Sequence, residues 1–311
     1  LRHGDTRYRY YLGVPPHAQP THVEMEILPQ GGWGYDYMPW FVRYIRTLGK
    51  PYSMMTGRFQ RSWGDVSGLR PMAALEYDCF YALATGANCS IGDHLHPRGR
   101  LHPAVYRMIG AMYERLMPLE AYTRDARRVS DILVIAPWLT GAWDETQGEI
   151  LRGFGRLLCE LKLQYDVAHA GVDWETLARY RLVILPDEAR VEPALAAKLQ
   201  RFLAAGGKIV ATGASGIDLE QRRVVWDEAA GVEVLGREEY DYTFLHPEPA
   251  FTAGLPPMEI PCYEPGIAWR AAPKQAHGEL YRGYFQIRDW DFEHEFLYDP
   301  EDSVTDHAPL V

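Results

Sequence analysis

Hydrophobic and polar positions along the chain fall into two textures that meet near residue 125. In the first, short strand-like runs are interleaved with helical periodicity. Residues 8–12 alternate weakly, 22–28 alternate clearly, 52–56 form a short apolar run and 88–91 another. Between the last two, Met72, Leu75, Cys79, Phe80 and Leu83 recur at helical spacing, with Pro71 ahead and Gly86 behind, the usual asymmetry of helix breakers. Residues 103–117 repeat the theme with Val105, Met108, Ile109, Met112 and Leu116. Strands alternating with helices predict a parallel sheet with crossover helices.

Beyond the charged segment 124–128 the order is an apolar strand at 129–136, a helix at 147–163, a strand at 165–168 and a helix at 174–180. A strand at 182–185, a helix at 193–205 closed by Gly206-Gly207, and a strand at 208–212 follow. This is the rhythm of a flavodoxin-like, doubly wound α/β domain. Neither Gly-x-Gly-x-x-Gly nor Gly-x-x-x-x-Gly-Lys-Ser/Thr occurs, so no cofactor is expected. From Gly231 onward the pattern is irregular and rich in Pro, Tyr and Trp. Phe285, Trp290, Phe292, His294 and Phe296 include a period-two stretch that predicts an edge or interface strand.

The predicted fold class is therefore α/β, the C-terminal portion of a (β/α)8 barrel followed by a flavodoxin-like domain. Only three or four strand–helix units fit before Tyr122, which leaves an open sheet or the last part of a barrel, and the second is favoured. The expected divisions are 1–123 for the barrel part, 124–128 for a linker, 129–260 for the flavodoxin-like domain, and 261–311 for an irregular β segment that begins a further domain. The chain opens on Leu1 without an initiator methionine or a leader pattern, and is read as a piece of something longer.

Composition narrows the partners. A net charge of -10 with no basic cluster beyond short Arg pairs argues against nucleic acid and for a neutral ligand. No apolar stretch approaches the roughly 20 residues that span a bilayer, so no membrane partner is expected. Cys79, Cys89, Cys159 and Cys262 are scattered without Cys-x-x-Cys spacing, which speaks against a zinc ribbon or disulfide framework and fits a reducing cytoplasm.

Four polar and aromatic clusters sit at strand ends: Thr21-His22-Val23-Glu24-Met25-Glu26; Gly31-Gly32-Trp33-Gly34-Tyr35; Met55-Thr56-Gly57-Arg58 running to Trp63-Gly64-Asp65; and Ser90-Ile91-Gly92-Asp93-His94-Leu95-His96-Pro97. Glycoside hydrolysis needs this inventory: carboxylates for acid, base or nucleophile work, aromatic faces for sugar rings and polar groups for hydroxyls. On a strand, His22, Glu24 and Glu26 share one face. Two neighbouring carboxylates in a barrel mouth favour a protonated one, which is what a general acid requires, so Glu24 or Glu26 is the catalytic candidate. Arg58 would point a cation at the mouth, or pair with Glu24, Glu26 or Asp65 for structure alone. Trp33, Tyr35 and Trp63, in Gly-flanked loops, are candidates for stacking on sugar. Asp93, His94 and His96 are assigned to hydroxyl recognition. A metal would need a third ligand at matching spacing, which the sequence does not show.

The succession from Thr21 to Glu26, the Met55-Thr56-Gly57-Arg58 and Ser62-Trp63-Gly64-Asp65 stretches, and Gly86-Ala87-Asn88-Cys89-Ser90-Ile91-Gly92-Asp93 resemble the last barrel strands of α-L-fucosidase-like glycoside hydrolases of family 29. A closer likeness is to barrel hydrolases that share the architecture of family 151 fucosidases, whose Leu-Pro-x-Gly-Gly-Trp-Gly-Tyr signature matches residues 28–35. Residues 129 to about 235 resemble the β-galactosidase trimerisation domain of family 42 enzymes, itself similar to class I glutamine amidotransferases. The resemblance implies a retaining exo-glycosidase acting on an oligosaccharide or glycoside, assembled as a homo-oligomer such as a trimer. Its nucleophile would be an aspartate on an earlier barrel strand. The family 29 Trp-Gly-Tyr reads Trp63-Gly64-Asp65 here, which weakens the case for fucose, and the turn Pro186-Asp187-Glu188-Ala189 lacks an amidotransferase nucleophile. A non-catalytic carbohydrate-binding or oligomerisation module is the alternative.

Overall fold

The computed structural model describes residues 21–140, 145–227, 230–272, 274–284, 286 and 300–311. The strand expected at 8–12 and the aromatic positions from Phe285 to Phe296 lie outside the described residues. The chain divides into two compact units, residues 1–186 with 205–210, and 187–204 with 211–311.

The first unit begins with β1 (Val23–Glu26), α1 (Tyr37–Ile45), β2 (Tyr52–Gly57), α2 (Met72–Ala84), β3 (Asn88–Gly92), α3 (Pro103–Leu116) and the short α4 (Glu120–Thr123). The three strands pair in parallel in the order β1-β2-β3. One face of this sheet is apolar: Met25 and Met54 are fully buried, as are Leu75, Cys79 and Ala82 on α2. Beneath it a compact polar group is also buried. The Thr56 hydroxyl donates to Asp78 Oδ2 at 2.7 Å, and Arg70 reaches the same oxygen at 2.8 Å and the Gly57 carbonyl at 3.2 Å. Burial raises the Asp78 carboxyl above its ordinary pKa, and Arg70 and Thr56 offset only part of that.

A second parallel arrangement follows, with β4 (Ile132–Ile135), α5 (Glu145–Glu160), β5 (Tyr165–Ala168), α6 (Trp174–Leu177), β6 (Leu182–Leu185), α7 (Pro193–Ala204) and β7 (Lys208–Ala211). Its sheet runs β5-β4-β6-β7. All four residues of β4 are buried, as expected of an inner strand covered on both faces. The chain is thus α/β, with parallel sheets formed by β1–β3 and β4–β7, and the described part of the first sheet is open.

Two features depart from the sequence reading. Helix α1 was not expected, because all nine of its residues are buried and no polar face marks a helical period. It packs on the second sheet: the Arg43 guanidinium lies 4.4 Å from the centre of the Tyr165 ring, and a Cβ on Gly155 of α5 would stand 3.2 Å from Trp40 Cβ. Segment 124–128 is not a loose linker either. Arg128 donates to the Arg46 carbonyl at 2.8 Å and pairs with Asp166 at 3.0 Å, and Asp166 also takes Arg46 at 2.6 Å and the Tyr180 hydroxyl at 2.8 Å. A carboxylate only 1% exposed is tolerable with three such partners.

The second unit is mostly antiparallel: β8 (Ile217–Asp218), β9 (Arg223–Val224), β10 (Val232–Arg237), β11 (Thr243–His246), β12 (Ile260–Cys262), β13 (Ile267–Ala271), β14 (Glu279–Gly283) and β15 (Pro300–Val304). β10 pairs with β13, and the larger sheet runs β12-β11-β14-β15. Strands on either side of residue 260 therefore pair with one another, so the expected division at 260 falls inside a sheet. Val224, Val234 and Ile267 form its core, with Trp226 and Trp269 against them.

Candidate functional site

Register decides which side chains share a surface. Across the first sheet Glu24 stands beside Ser53, which stands beside Asn88; Glu26 stands beside Met55 and then Ser90; Gly57 stands beside Gly92. Paired residues of a parallel sheet point the same way, so Glu24 and Glu26 rise from a face floored by Ser53, Met55, Asn88 and Ser90. Glu24, Asn88 and Ser90 are exposed, while Glu26, Ser53 and Met55 are half-buried. Alternation with the buried Met25 and Ile27 on the opposite face follows directly from the period of two. His22 has the parity of the glutamates, is exposed, and shares a hydrogen bond with Thr21 Oγ1 at 3.1 Å.

Trp63 closes the C-terminal end of this face. A Cβ on Gly92 would fall 2.6 Å from its Cη2 and 3.0 Å from Met55 Sδ, so only glycine leaves room for the indole there. The ring meets Phe59 edge-on at 5.1 Å and remains 45% exposed.

The remaining candidates do not join that face. Arg58 and Asp93 follow the parity of the buried Met54 and Thr56, and they pair with each other, Nε to Oδ1 at 2.7 Å. Arg58 is 1% exposed and also donates through Nη1 to the carbonyls of Val66 at 2.7 Å and Gly68 at 2.9 Å. The expected approach of Arg58 to Glu24, Glu26 or Asp65 is replaced by this anchoring of the 59–70 loop. Asp65 instead accepts the Gly68 N–H at 3.1 Å. His94 and His96 lie in the loop after β3 and border a hollow of about 210 Å3 together with Arg58 and Asp93. None of His22, Glu24 and Glu26 lines this hollow, so the clusters at the strand ends do not converge on it.

Trp33 and Tyr35 also point elsewhere. Trp33 packs edge-on against Tyr37 of α1 at 5.3 Å, and its carbonyl accepts from Arg152 of α5 at 3.1 Å. Tyr35 meets Tyr77 of α2 at 5.2 Å, and its hydroxyl accepts from Arg70 at 3.4 Å. Burial first, with nearby Tyr81 and Asp78 after it, pushes the Tyr77 phenol up to about 12. What sequence reasoning missed is the floor: Ser53 lies in none of the motif stretches, Met55, Asn88 and Ser90 lie in them without an assigned role, and only the pairing register brings all four beneath the glutamates.

Among the described residues no three His, Cys, Asp or Glu side chains gather closely enough to hold a metal ion, and no helix is long and apolar enough to cross a membrane. In the second unit, Glu188 of the Pro186-Asp187-Glu188-Ala189 turn has a φ of 60° and its carboxylate is held by Arg237 at 3.0 Å.

A parallel β/α sheet ending in a carboxylate-bearing polar face, joined to a flavodoxin-like sheet, is a glycoside-hydrolase-like architecture. Comparison with known proteins specifies it further: residues 142–252 match the family model of the β-galactosidase trimerisation domain. Among solved structures, the chain is similar to α-L-fucosidase isoenzyme 2 from Paenibacillus thiaminolyticus, with 30% identity and a TM-score of 0.83 over 91% of this chain and 43% of that one. It is also similar in fold to a β-galactosidase from Rahnella sp. R3, at 18% identity and a TM-score of 0.64 over 83% of this chain and 44% of that one. A GH42 β-galactosidase from G. stearothermophilus, Gan42B, matches at 15% identity and a TM-score of 0.66 over 84% and 43%. The chain spans less than half the length of each of these structures. No match was found among curated proteins.

Proposed function

We propose that this chain is part of a retaining, exo-acting glycoside hydrolase that removes a terminal α-L-fucosyl or β-D-galactosyl unit, and that Glu24 and Glu26 face the bound sugar. The observation that carries this reading is the polar face that β1–β3 present among the described residues. Seven of the eight positions in its register, all but Met55, are polar or small, and Trp63 lies at the end where a barrel opens to substrate. The similarity to a fucosidase across nine-tenths of the chain supports the same class of substrate.

Chemistry then divides the labour. Glu24 and Glu26 are two residues apart on one face, so their Cβ atoms are separated by about 7 Å along the strand. A retaining pair flanks the scissile bond from opposite sides at about 5 Å. One glutamate therefore serves as acid/base, protonating the leaving oxygen and later deprotonating water. Glu26 is the better placed, being nearer the strand exit and beside Met55, whose sulfur borders the Trp63 site. The nucleophile belongs to a strand other than β1–β3. Glu24 would then hold a hydroxyl, with Ser53 and Asn88 as neighbours. The trimerisation-domain match supports assembly as a homo-oligomer, with a trimer as the specific proposal.

The test is hydrolysis of aryl α-L-fucoside and aryl β-D-galactoside by the protein and by Glu24→Gln and Glu26→Gln separately. Glu26→Gln is expected to lower kcat by about 100-fold or more, and Glu24→Gln chiefly to raise KM. Full activity in both variants would remove the acid/base assignment. A carbohydrate-binding or oligomerisation module without catalysis is the second reading, favoured by the match of residues 142–252 to a trimerisation domain. It predicts sugar binding without turnover.

A further inference from the structure

The hollow beyond β3 has a chemistry that hydroxyl recognition does not require. Its one carboxylate, Asp93, already accepts Arg58 Nε and the His94 N–H, both at 2.7 Å. Tyr106 of α3 lies near the same carboxylate, whose charge raises the Tyr106 phenol further after burial. Against that single, saturated negative charge stand three guanidiniums, Arg58, Arg98 and Arg100, and three imidazoles, His94, His96 and His102. In a chain with a net charge of -10, this is a local reversal of sign.

Three observations turn the reversal into a site. First, Arg58 is almost wholly buried, yet its Nη2 makes no hydrogen bond among the described residues, while Nε and Nη1 are committed to Asp93, Val66 and Gly68. The guanidinium is thus fixed in place on a residue that lines the hollow, with Nη2 uncommitted to protein acceptors among the described residues. Second, the 14-residue helix α3 begins at the same hollow, with His102 at its N-cap making no capping hydrogen bond and Pro103 in its first turn. The first-turn amide groups and the positive end of the helix dipole are thus left to an outside acceptor. Third, about 210 Å3 is less than a drug-sized ligand site but sufficient for one compact charged group.

We propose that this hollow binds a compact oxyanion, a sulfate, phosphate or carboxylate group. The shared chemistry is a small anion that accepts the remaining Arg58 donor and neutralises Arg98 and Arg100. It can arrive as a free ion or as a substituent on an acidic sugar. The neutral ligand expected from overall charge would then describe the sheet face but not this loop. Binding here is readable without turnover, so it stands or falls separately from the hydrolase reading.

The test is isothermal titration of the full chain, at low ionic strength, with sodium sulfate, with D-galacturonate and with D-galactose. Sulfate or galacturonate should bind and galactose should not compete. Arg98→Gln/Arg100→Gln, at exposed positions that leave the fold in place, should lower anion affinity about tenfold or more. Arg190→Gln, in the second unit, should leave it unchanged. Arg58→Lys keeps the charge but loses the fork, and with an unaltered melting curve it should also weaken binding. Galacturonate binding tighter than sulfate would assign the site to an acidic sugar, and sulfate binding tighter would assign it to a free ion. No anion binding, or equal binding by the Arg98→Gln/Arg100→Gln variant and its parent, would overturn the proposal.

Discussion

Gly92 carries as much information about the candidate site as the glutamates do. The space its side chain would occupy is filled by the Trp63 indole, so the identity of one residue sets the position of another 29 positions earlier in the chain. Gly92→Val should push the ring off the end of the face, raise KM for aryl glycosides by about 5–10-fold and shift tryptophan fluorescence. Unchanged KM would mean that Trp63 does not touch sugar. The glutamates' common face was legible because it needs only the period of two along one strand. The side taken by Arg58 was not. Its parity relative to Glu26 depends on how β2 is registered against β1, which no local pattern reveals, and the Asp93 that neutralises it lies 35 residues away.

Elements with clear periodicity were readable, and those without a polar stripe or a long run were not. Helix α2 occupies Met72–Ala84 as its spacing predicts, and β5 and β6 match their apolar runs. Helix α1 escaped because a segment buried all round has no alternation to read. Strands β10–β15 escaped because each is only three to six residues long, and some pair across bulges. The join among those strands is electrostatic. Glu238, just after β10, takes Arg282 of β14 at 3.0 Å and the His307 ring at 2.6 Å. Burial by itself would raise this carboxyl, but the His307 and Arg282 hydrogen bonds prevail and hold it below the ordinary value. A folded-state value below the unfolded one means that the stabilisation is complete above about pH 4.3 and is lost as pH falls through the lower, folded value. Glu238→Gln should therefore cost about 2 kcal/mol at pH 7 in urea unfolding. The difference from the parent should shrink below pH 4, and a constant difference at all pH values would contradict the ion-pair account.

For the molecule as a whole, the two textures of the sequence do not correspond to two bodies. Residues on both sides of 124–128 meet around Asp166, and the first unit runs through to Pro186. Local patterning marked the change from one sheet to the next but carried no signal that α1 would be covered by α5 and β5. The match of residues 142–252 to a trimerisation domain makes assembly the molecular-scale expectation. Sedimentation equilibrium should give three times the 35.5 kDa chain mass, whereas a monomer at micromolar concentration would contradict the trimer.

The most direct test of the central claim is the leaving-group dependence of hydrolysis by Glu26→Gln. If Glu26 protonates the departing oxygen, the variant should lose about 100-fold or more on an alkyl or phenyl glycoside. It should retain near-parental glycosylation rates on a 2,4-dinitrophenyl glycoside, whose leaving group needs no proton. An equal loss on both substrates would contradict the acid role of Glu26 and, with it, the assignment of the β1–β3 face as the catalytic one.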